Sequence, residues 1–264
     1  EADVRFETRG PLRAPKDSAV MVQRPELTMA LRLAQQPSIS QYIALLSARD
    51  NGKTTLLLQL LDQLKGQYPC VFVDLSILAA QDARACFRLL AFKLVSAIWT
   101  ADIDPTSLSS VTEIRSAVEF VSFLRELAST VSAPRIVLIL DDVGVLAPAT
   151  SEAFFNALRT VFTQGRGFDD PLAKYLFILS GSVNLYNLTS GTTSPLNICE
   201  KIYLADFSIP DIRRLLRLFT QWGVTVSPEA PELIHGWTAG HPYLTMRFCA
   251  LLRSSGVSLI DREA

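Results

Sequence analysis

Apolar and polar positions along this chain fall into blocks of two kinds. Five are short apolar runs bounded by polar or turn residues: Tyr42–Leu46, Cys70–Leu75, Ile136–Asp142, Lys174–Ser182 and Lys201–Leu204. Runs of this length predict buried strands. Longer blocks with apolar residues at helical spacing separate them. One runs through Leu56, Leu57, Leu60 and Leu61; another, from Gln81 to Trp99, carries Leu89, Leu90, Leu94 and Ile98; a third spans Glu113 to Thr130. A fourth, Thr150 to Gln164, has Phe154, Phe155, Leu158, Val161 and Phe162 on one side. Strands alternating with helices predict an α/β fold, a five-stranded, mostly parallel sheet covered by helices on both faces.

From Phe207 onward the pattern reads as helices only, a small all-helical lid. Ser208 is placed to cap a helix with Asp211 at its third position. Ser227-Pro228-Glu229 predicts another start, with Pro228 at the first helical position. A third helix begins at Pro242, and Leu259–Glu263 reads as the opening of one more. The predicted division is an approach segment over 1–18, an α/β core over 19–206 and the lid over 207–264. The chain starts at Glu1 and stops inside a helical pattern, so a piece of a longer protein is expected.

Composition adds limits. Of 264 residues, 49% are hydrophobic and 19% charged, enough for a sizeable core and against disorder. A net charge of −1 gives no nucleic-acid signal. The four cysteines lack metal-ligand spacing and read as buried reduced thiols. Neither a signal peptide nor a run long enough for a bilayer is visible, so a cytoplasmic setting is expected.

The chemistry concentrates where the first strand meets its helix. Ser47-Ala48-Arg49-Asp50-Asn51-Gly52-Lys53-Thr54-Thr55 sits between them. A loop opening a helix points backbone N–H groups at an anion, with the helix dipole adding to the attraction. Lys53 would reach the β- and γ-phosphates, and the Thr54 hydroxyl would ligate Mg²⁺. The pattern is that of a P-loop NTPase, except that Ser47 stands where glycine is usual. Serine is the costlier residue if that position needs a positive φ. The third strand ends in Asp141 and Asp142: Asp141 would hold Mg²⁺, and Asp142 stands where a water-positioning carboxylate is expected. Adjacent strand residues face opposite sides, so two roles require the strand to end there. Ser180 or Ser182 would either bond a γ-phosphate or simply end a strand. Arg24 and Pro25, ahead of the first strand, would either lie against the nucleotide base or only pack. Arg159 and Arg166 are candidate arginine fingers toward a neighbouring subunit, or surface arginines.

These segments together resemble a known family. Gly10-Pro11-Leu12 with Gln23-Arg24-Pro25, Ser47–Thr54, Val73–Ser76, Asp141-Asp142, Phe154-Phe155 with Arg159, Ser194–Ile198, Leu204–Phe207 and Trp237–Thr245 occur in family order. The chain is similar to the AAA-like domain of the STAND class, signal-transduction ATPases with numerous domains. Serine at position 47 is usual in that branch, whereas Asp142 replaces its usual glutamate. The resemblance implies an ATP/ADP switch with Mg²⁺, the nucleotide lying between core and lid, where Gly240-His241-Pro242 would contact it. It also implies homo-oligomers in the ATP state, and effector and sensor domains in a longer chain. A module that oligomerises without useful hydrolysis is the alternative, followed by a P-loop kinase.

Overall fold

The computed structural model describes residues 5, 6, 8–98, 111–167, 170–182 and 195–261. Trp99, the expected polar loop over 101–110 and most of the loop-rich stretch over 186–197 lie outside them. The chain divides into two compact units. One comprises Thr28–Leu46 and Leu60–Tyr203; the other comprises Glu1–Leu27, Ser47–Gln59 and Leu204–Ala264.

The first unit is built on the sheet. Its strands are β1 (Tyr42–Ser47), β2 (Cys70–Asp74), β3 (Ile136–Asp141), β4 (Tyr175–Ser182) and β5 (Cys199–Tyr203), in the order β2-β3-β4-β1-β5. The β2/β3, β3/β4 and β1/β5 pairs are parallel, as the alternating pattern predicts. Every residue of β1 and β3 is buried, which is why both read as unbroken apolar runs. The helices are α1 (Pro25–Ala34) and α2 (Lys53–Leu64), of which Thr28–Ala34 and Leu60–Leu64 fall in this unit, and α3 (Ala83–Ile98), α4 (Ala117–Thr130) and α5 (Pro148–Gly167). The start of α4 falls later than the predicted Glu113, because Ser116 caps it. Its Oγ accepts from Glu119 N–H at 3.4 Å, while Glu119 Oε2 accepts from Arg115 N–H at 2.6 Å. Proline suits a first helical position, and α5 opens at Pro148, two residues ahead of the predicted Thr150. The Arg135 guanidinium closes α1 by donating to the carbonyls of Ala34 and Gln36.

The second unit holds α6 (Ile209–Gln221), α7 (Ala230–Thr238) and α8 (Pro242–Ser255). Ser208 caps α6 as predicted: its Oγ accepts from Asp211 N–H at 3.4 Å and Asp211 Oδ2 accepts from Ser208 N–H at 2.9 Å. Ile212, Leu215, Leu216 and Phe219 of α6 share a core with Ile234, Met246, Cys249 and Leu252. Phe6, Val20 and Val22 belong to the same core, with the Phe6 ring stacked 5.5 Å from Phe219.

Two expectations for this unit are corrected. It is not helical throughout: β6 (Thr225–Val226) and β7 (Leu259–Ile260) form a parallel ladder, so Leu259 opens a strand and not a helix. Ser227 N–H donates to Ile260 O at 2.9 Å, which keeps Ser227 in the ladder. The helix therefore starts at Ala230 with Pro231 in its first turn, rather than at Pro228.

The four cysteines are reduced: Cys86, Cys199 and Cys249 are buried and Cys70 is half-buried. Burial pushes the Cys70 thiol up to about 11 and the other three to about 12. Among the described residues no helix is long and apolar enough to cross a membrane.

Candidate functional site

The loop between β1 and α2 is a tight turn whose backbone alternates in hand. Asp50 has φ 57° and Gly52 has φ 86°, while Asn51 and Lys53 stay at negative φ. Such alternation gathers successive N–H groups into a concavity suited to an anion. Ser47 needs no positive φ. It is the buried last residue of β1 and remains extended, so the glycine missing from the motif is not required by the backbone. Ser47 Oγ donates to Ala48 O at 3.0 Å. Lys53 Nζ lies over the loop, donating to Ala48 O at 2.6 Å and Ser47 Oγ at 3.2 Å. Thr54 is half-buried in the first turn of α2, and Thr55 Oγ1 accepts from Leu12 N–H at 3.1 Å.

Residues distant in sequence hold this loop. Arg24 Nη1 donates to Ala205 O at 2.6 Å and Nη2 to Asn51 O at 3.1 Å, while its guanidinium lies 4.9 Å above the Phe207 ring. Burial lowers the pKa of Arg24; Glu26, Asp211 and Asp206 act against that shift. Asn51 is buried, and its Nδ2 donates to Asp206 Oδ1 at 2.9 Å. Glu26 Oε1 accepts from Ala205 N–H at 2.9 Å, and its buried Oε2 has no hydrogen bond. Pro25, the first residue of α1, is exposed.

The start of α8 meets the same loop. Gly240 has φ 73°, and a Cβ there would stand 2.1 Å from Phe207 O, so only glycine fits. Phe207 N–H donates to Gly240 O at 2.7 Å. His241 caps α8, and its Nε2–H donates to Arg49 O at 3.2 Å, which fixes the tautomer; the buried Nδ1 has no partner. Pro242 is buried as the first helical residue.

The second cluster lies at the strand ends of the sheet unit. β3 ends at Asp141, and Asp142 turns into the left-handed region with φ 56° and ψ 50°. The two carboxylates therefore leave the alternation of the strand, as two separate roles require. Leu140 pairs with Leu179, so the next residues, Asp141 and Ser180, come side by side. Ser180 Oγ donates to Asp141 Oδ1 and accepts from Asp142 N–H at 3.1 Å. Ser182 ends β4 and is half-buried. On α5, Arg159 is half-buried, and Arg166 is exposed with its guanidinium 5.1 Å above the Phe162 ring.

Each unit thus gathers its own set of predicted residues. In one, hydrogen bonds link Lys53 to Ser47 and Ala48, Arg24 to Asn51, and His241 to Arg49; in the other they link Asp141, Asp142 and Ser180. Leu12, Glu26, Ala205 and Asp206 belong to the first set as well and were not predicted as site residues. Ala205 and Asp206 stand in a segment that carries the family resemblance, but nothing in their spacing pointed to the loop.

A five-stranded parallel sheet flanked by helices, with a phosphate-type loop after β1, is the fold of P-loop ATPases. The chain belongs to the AAA-like domain family, whose model matches residues 10–260. It is similar to a Walker-type ATPase of Pyrococcus abyssi, at 19% identity and TM-score 0.66, over 95% of this chain and 72% of that one. The ORC2 protein of Aeropyrum pernix, in ADPNP–ADP complexes, matches at 16% identity and TM-score 0.58, over 98% of this chain and 68% of that one. A curated relative, an uncharacterized WD repeat-containing protein of Synechocystis sp., is 24% identical over 235 residues. That match takes in 83% of this chain and spans only 19% of the relative's length.

Proposed function

We propose that this domain binds ATP and ADP as the switch of a larger cytoplasmic signalling chain of the STAND type, with slow Mg²⁺-dependent hydrolysis. The observation that carries the reading is the loop over Asp50–Lys53, whose backbone alternates in hand beneath the Lys53 amine. Donors of this kind fit a polyphosphate. The backbone of residues 47–55 and Lys53 would hold the phosphates. Arg24 and Pro25 would lie on the base side, and Ser180 would bond the γ-phosphate. Bound Mg²⁺ would neutralise charge developing on the phosphates; Thr54 and Asp141 are its candidate ligands. Asp142 would orient the attacking water, and Arg159 or Arg166 would act toward a neighbouring subunit in the ATP state. The functional division would be the approach segment over 1–18, the core over 19–206 and the lid over 207–264, with His241 and Pro242 the lid's contacts. The WD-repeat relative, of whose length the match spans 19%, supports a place within a longer chain; effector and sensor domains in that chain are part of the same proposal.

Calorimetry with Mg·ADP and Mg·ATP tests the reading. Lys53→Ala is expected to abolish measurable binding, because it removes the cation that would face the β- and γ-phosphates. Equal affinity in both proteins would overturn the assignment. Asp141→Asn should weaken only the Mg²⁺-dependent part of binding. Asp142→Asn should spare binding and lower phosphate release. A second reading, oligomerisation without useful hydrolysis, is favoured by one observation: Asp142 is shorter than glutamate and sits in a left-handed turn. Nucleotide binding by the wild-type protein without phosphate release would select it.

A further inference from the structure

We propose that Asp206 is a positioning residue that holds the phosphate loop in its binding conformation and ties that loop to the segment leading into α6. The nucleotide part of this proposal rests on the reading above; the loop part does not.

The argument starts from strain. Asn51 stands between two residues at positive φ, and one of them, Asp50, is not a glycine. A non-glycine residue held left-handed costs on the order of 1 kcal/mol and persists only where its surroundings fix it. The surroundings of Asn51 do so at its backbone carbonyl and at its side-chain amide. Its carbonyl accepts from Arg24 Nη2 at 3.1 Å, and its side-chain amide donates to Asp206 Oδ1 at 2.9 Å. Asn51 is 4% exposed, so water cannot readily take over either bond. Arg24 also fills the space beside Gly52, with Nη2 3.6 Å from where a Cβ would be.

Asp206 is itself anchored. On one side, Ala205 O accepts from Arg24 and Ala205 N–H donates to Glu26 Oε1. On the other, Phe207 N–H donates to Gly240 O, next to His241, whose Nε2–H donates to Arg49 O. Ala205, Asp206 and Phe207 are therefore each held by a separate bond. The apex of the loop and the start of α8 are fastened to one three-residue segment. A ligand that orders Asn51 must act on Asp206, and the side chain of Asp206 is the direct link.

Hydrogen exchange and calorimetry on Asp206→Ala and Asp206→Asn test this. Asparagine keeps an acceptor oxygen for the Asn51 amide, whereas alanine removes it. Without nucleotide, Asp206→Ala should speed exchange at amides 49–52 about tenfold while leaving exchange in β1, β3 and β4 unchanged, the scale of one lost hydrogen bond. Asp206→Asn should behave like wild type. With Mg·ADP, Asp206→Ala should bind about tenfold more weakly and lose the protection that ligand gives to Phe207 and the first turn of α8. Asp206→Asn should retain both. Unchanged loop exchange in Asp206→Ala would overturn the proposal. So would equal effects of alanine and asparagine, which would assign the effect to charge, or a uniform rise in exchange, which would make the residue merely structural. If wild type binds neither ADP nor ATP, the nucleotide reading fails while the ligand-free exchange still decides the role of Asp206.

Discussion

At the end of β3, Asp141 and Asp142 are held by Ser180, a residue 38 or 39 positions away that the register of neighbouring strands delivers. In the loop after β1, Asn51 and Arg49 are held by Asp206 and His241, 155 and 192 positions away, and by Arg24, 27 positions away. The first site inherits its geometry from a regular ladder. The second assembles its own from separate polar contacts, each with its own partner. A ladder averages over many bonds, so one substitution there is felt as a loss of stability. A set of single contacts fails one contact at a time, so a substitution is felt as lost position.

The strongest break in this contrast is Gly240→Ala. A Cβ 2.1 Å from Phe207 O on a φ of 73° forces the backbone apart. We expect a loss of ~3 kcal/mol in urea unfolding, near the upper range for single changes. Limited proteolysis should then cut within 204–261 before the sheet unit. Loss of the sheet first would show that the close approach at Gly240 does not hold this unit together. Ser180→Ala comes next. It removes one hydrogen bond from the buried Asp141 carboxylate and one from Asp142 N–H, for ~1–2 kcal/mol. Faster exchange should be confined to the ends of β3 and β4; faster exchange in α6–α8 would contradict it.

Gly52→Ala separates position from stability within one unit. Its φ of 86° disfavours alanine by ~1 kcal/mol, but a Cβ would meet only Arg24 Nη2 within 4 Å. Folding should survive while Mg·ADP affinity falls more than tenfold; full affinity would show that the loop tolerates a different backbone.

The smallest effect is in pH. The folded thiols titrate above their ordinary value of 9.0, so they bind protons that the unfolded chain releases. Their contribution is fully present below pH 9 and is lost as pH rises toward about 12. From pH 7 to 8 the change from this source should stay below ~0.5 kcal/mol. Three of the cysteines lie in the sheet unit and one, Cys249, in the other, so alkaline loss should appear first in the sheet. Thermal melts followed by exchange at pH 8 and pH 10 would read the order.

Most of the fold was legible in the sequence because burial on both faces writes itself as an apolar run. β1 to β5 were found that way, and the Ser208–Asp211 cap by its capping-box spacing. Two-residue strands carry no period, so the pairing of Thr225–Val226 with Leu259–Ile260 left only an ambiguous apolar pair. The proline rule found a helix start near Ser227, but two prolines compete there, and the ladder bond from Ser227 to Ile260 decides for Pro231. Of the candidate site, the phosphate loop and the strand-end carboxylates were visible as motifs. Glu26, Ala205 and Asp206 were not, because a hydrogen bond across more than a hundred residues leaves no pattern in local sequence. The concern over Ser47 came from assigning positive φ to the wrong residue; Asp50 and Gly52 carry it.

The composition of the second unit, from Glu1–Leu27, Ser47–Gln59 and Leu204–Ala264, bears on how the protein is made. A ribosome delivers the chain from its first residue to its last. The sheet unit has all its strands once Tyr203 emerges. The phosphate loop has by then been waiting for some 150 residues without Asp206 or His241. The contacts that fix the loop therefore form only after every strand of the sheet has been made, and a nascent chain stopped short of Asp206 would carry the strands of the sheet and an untethered loop.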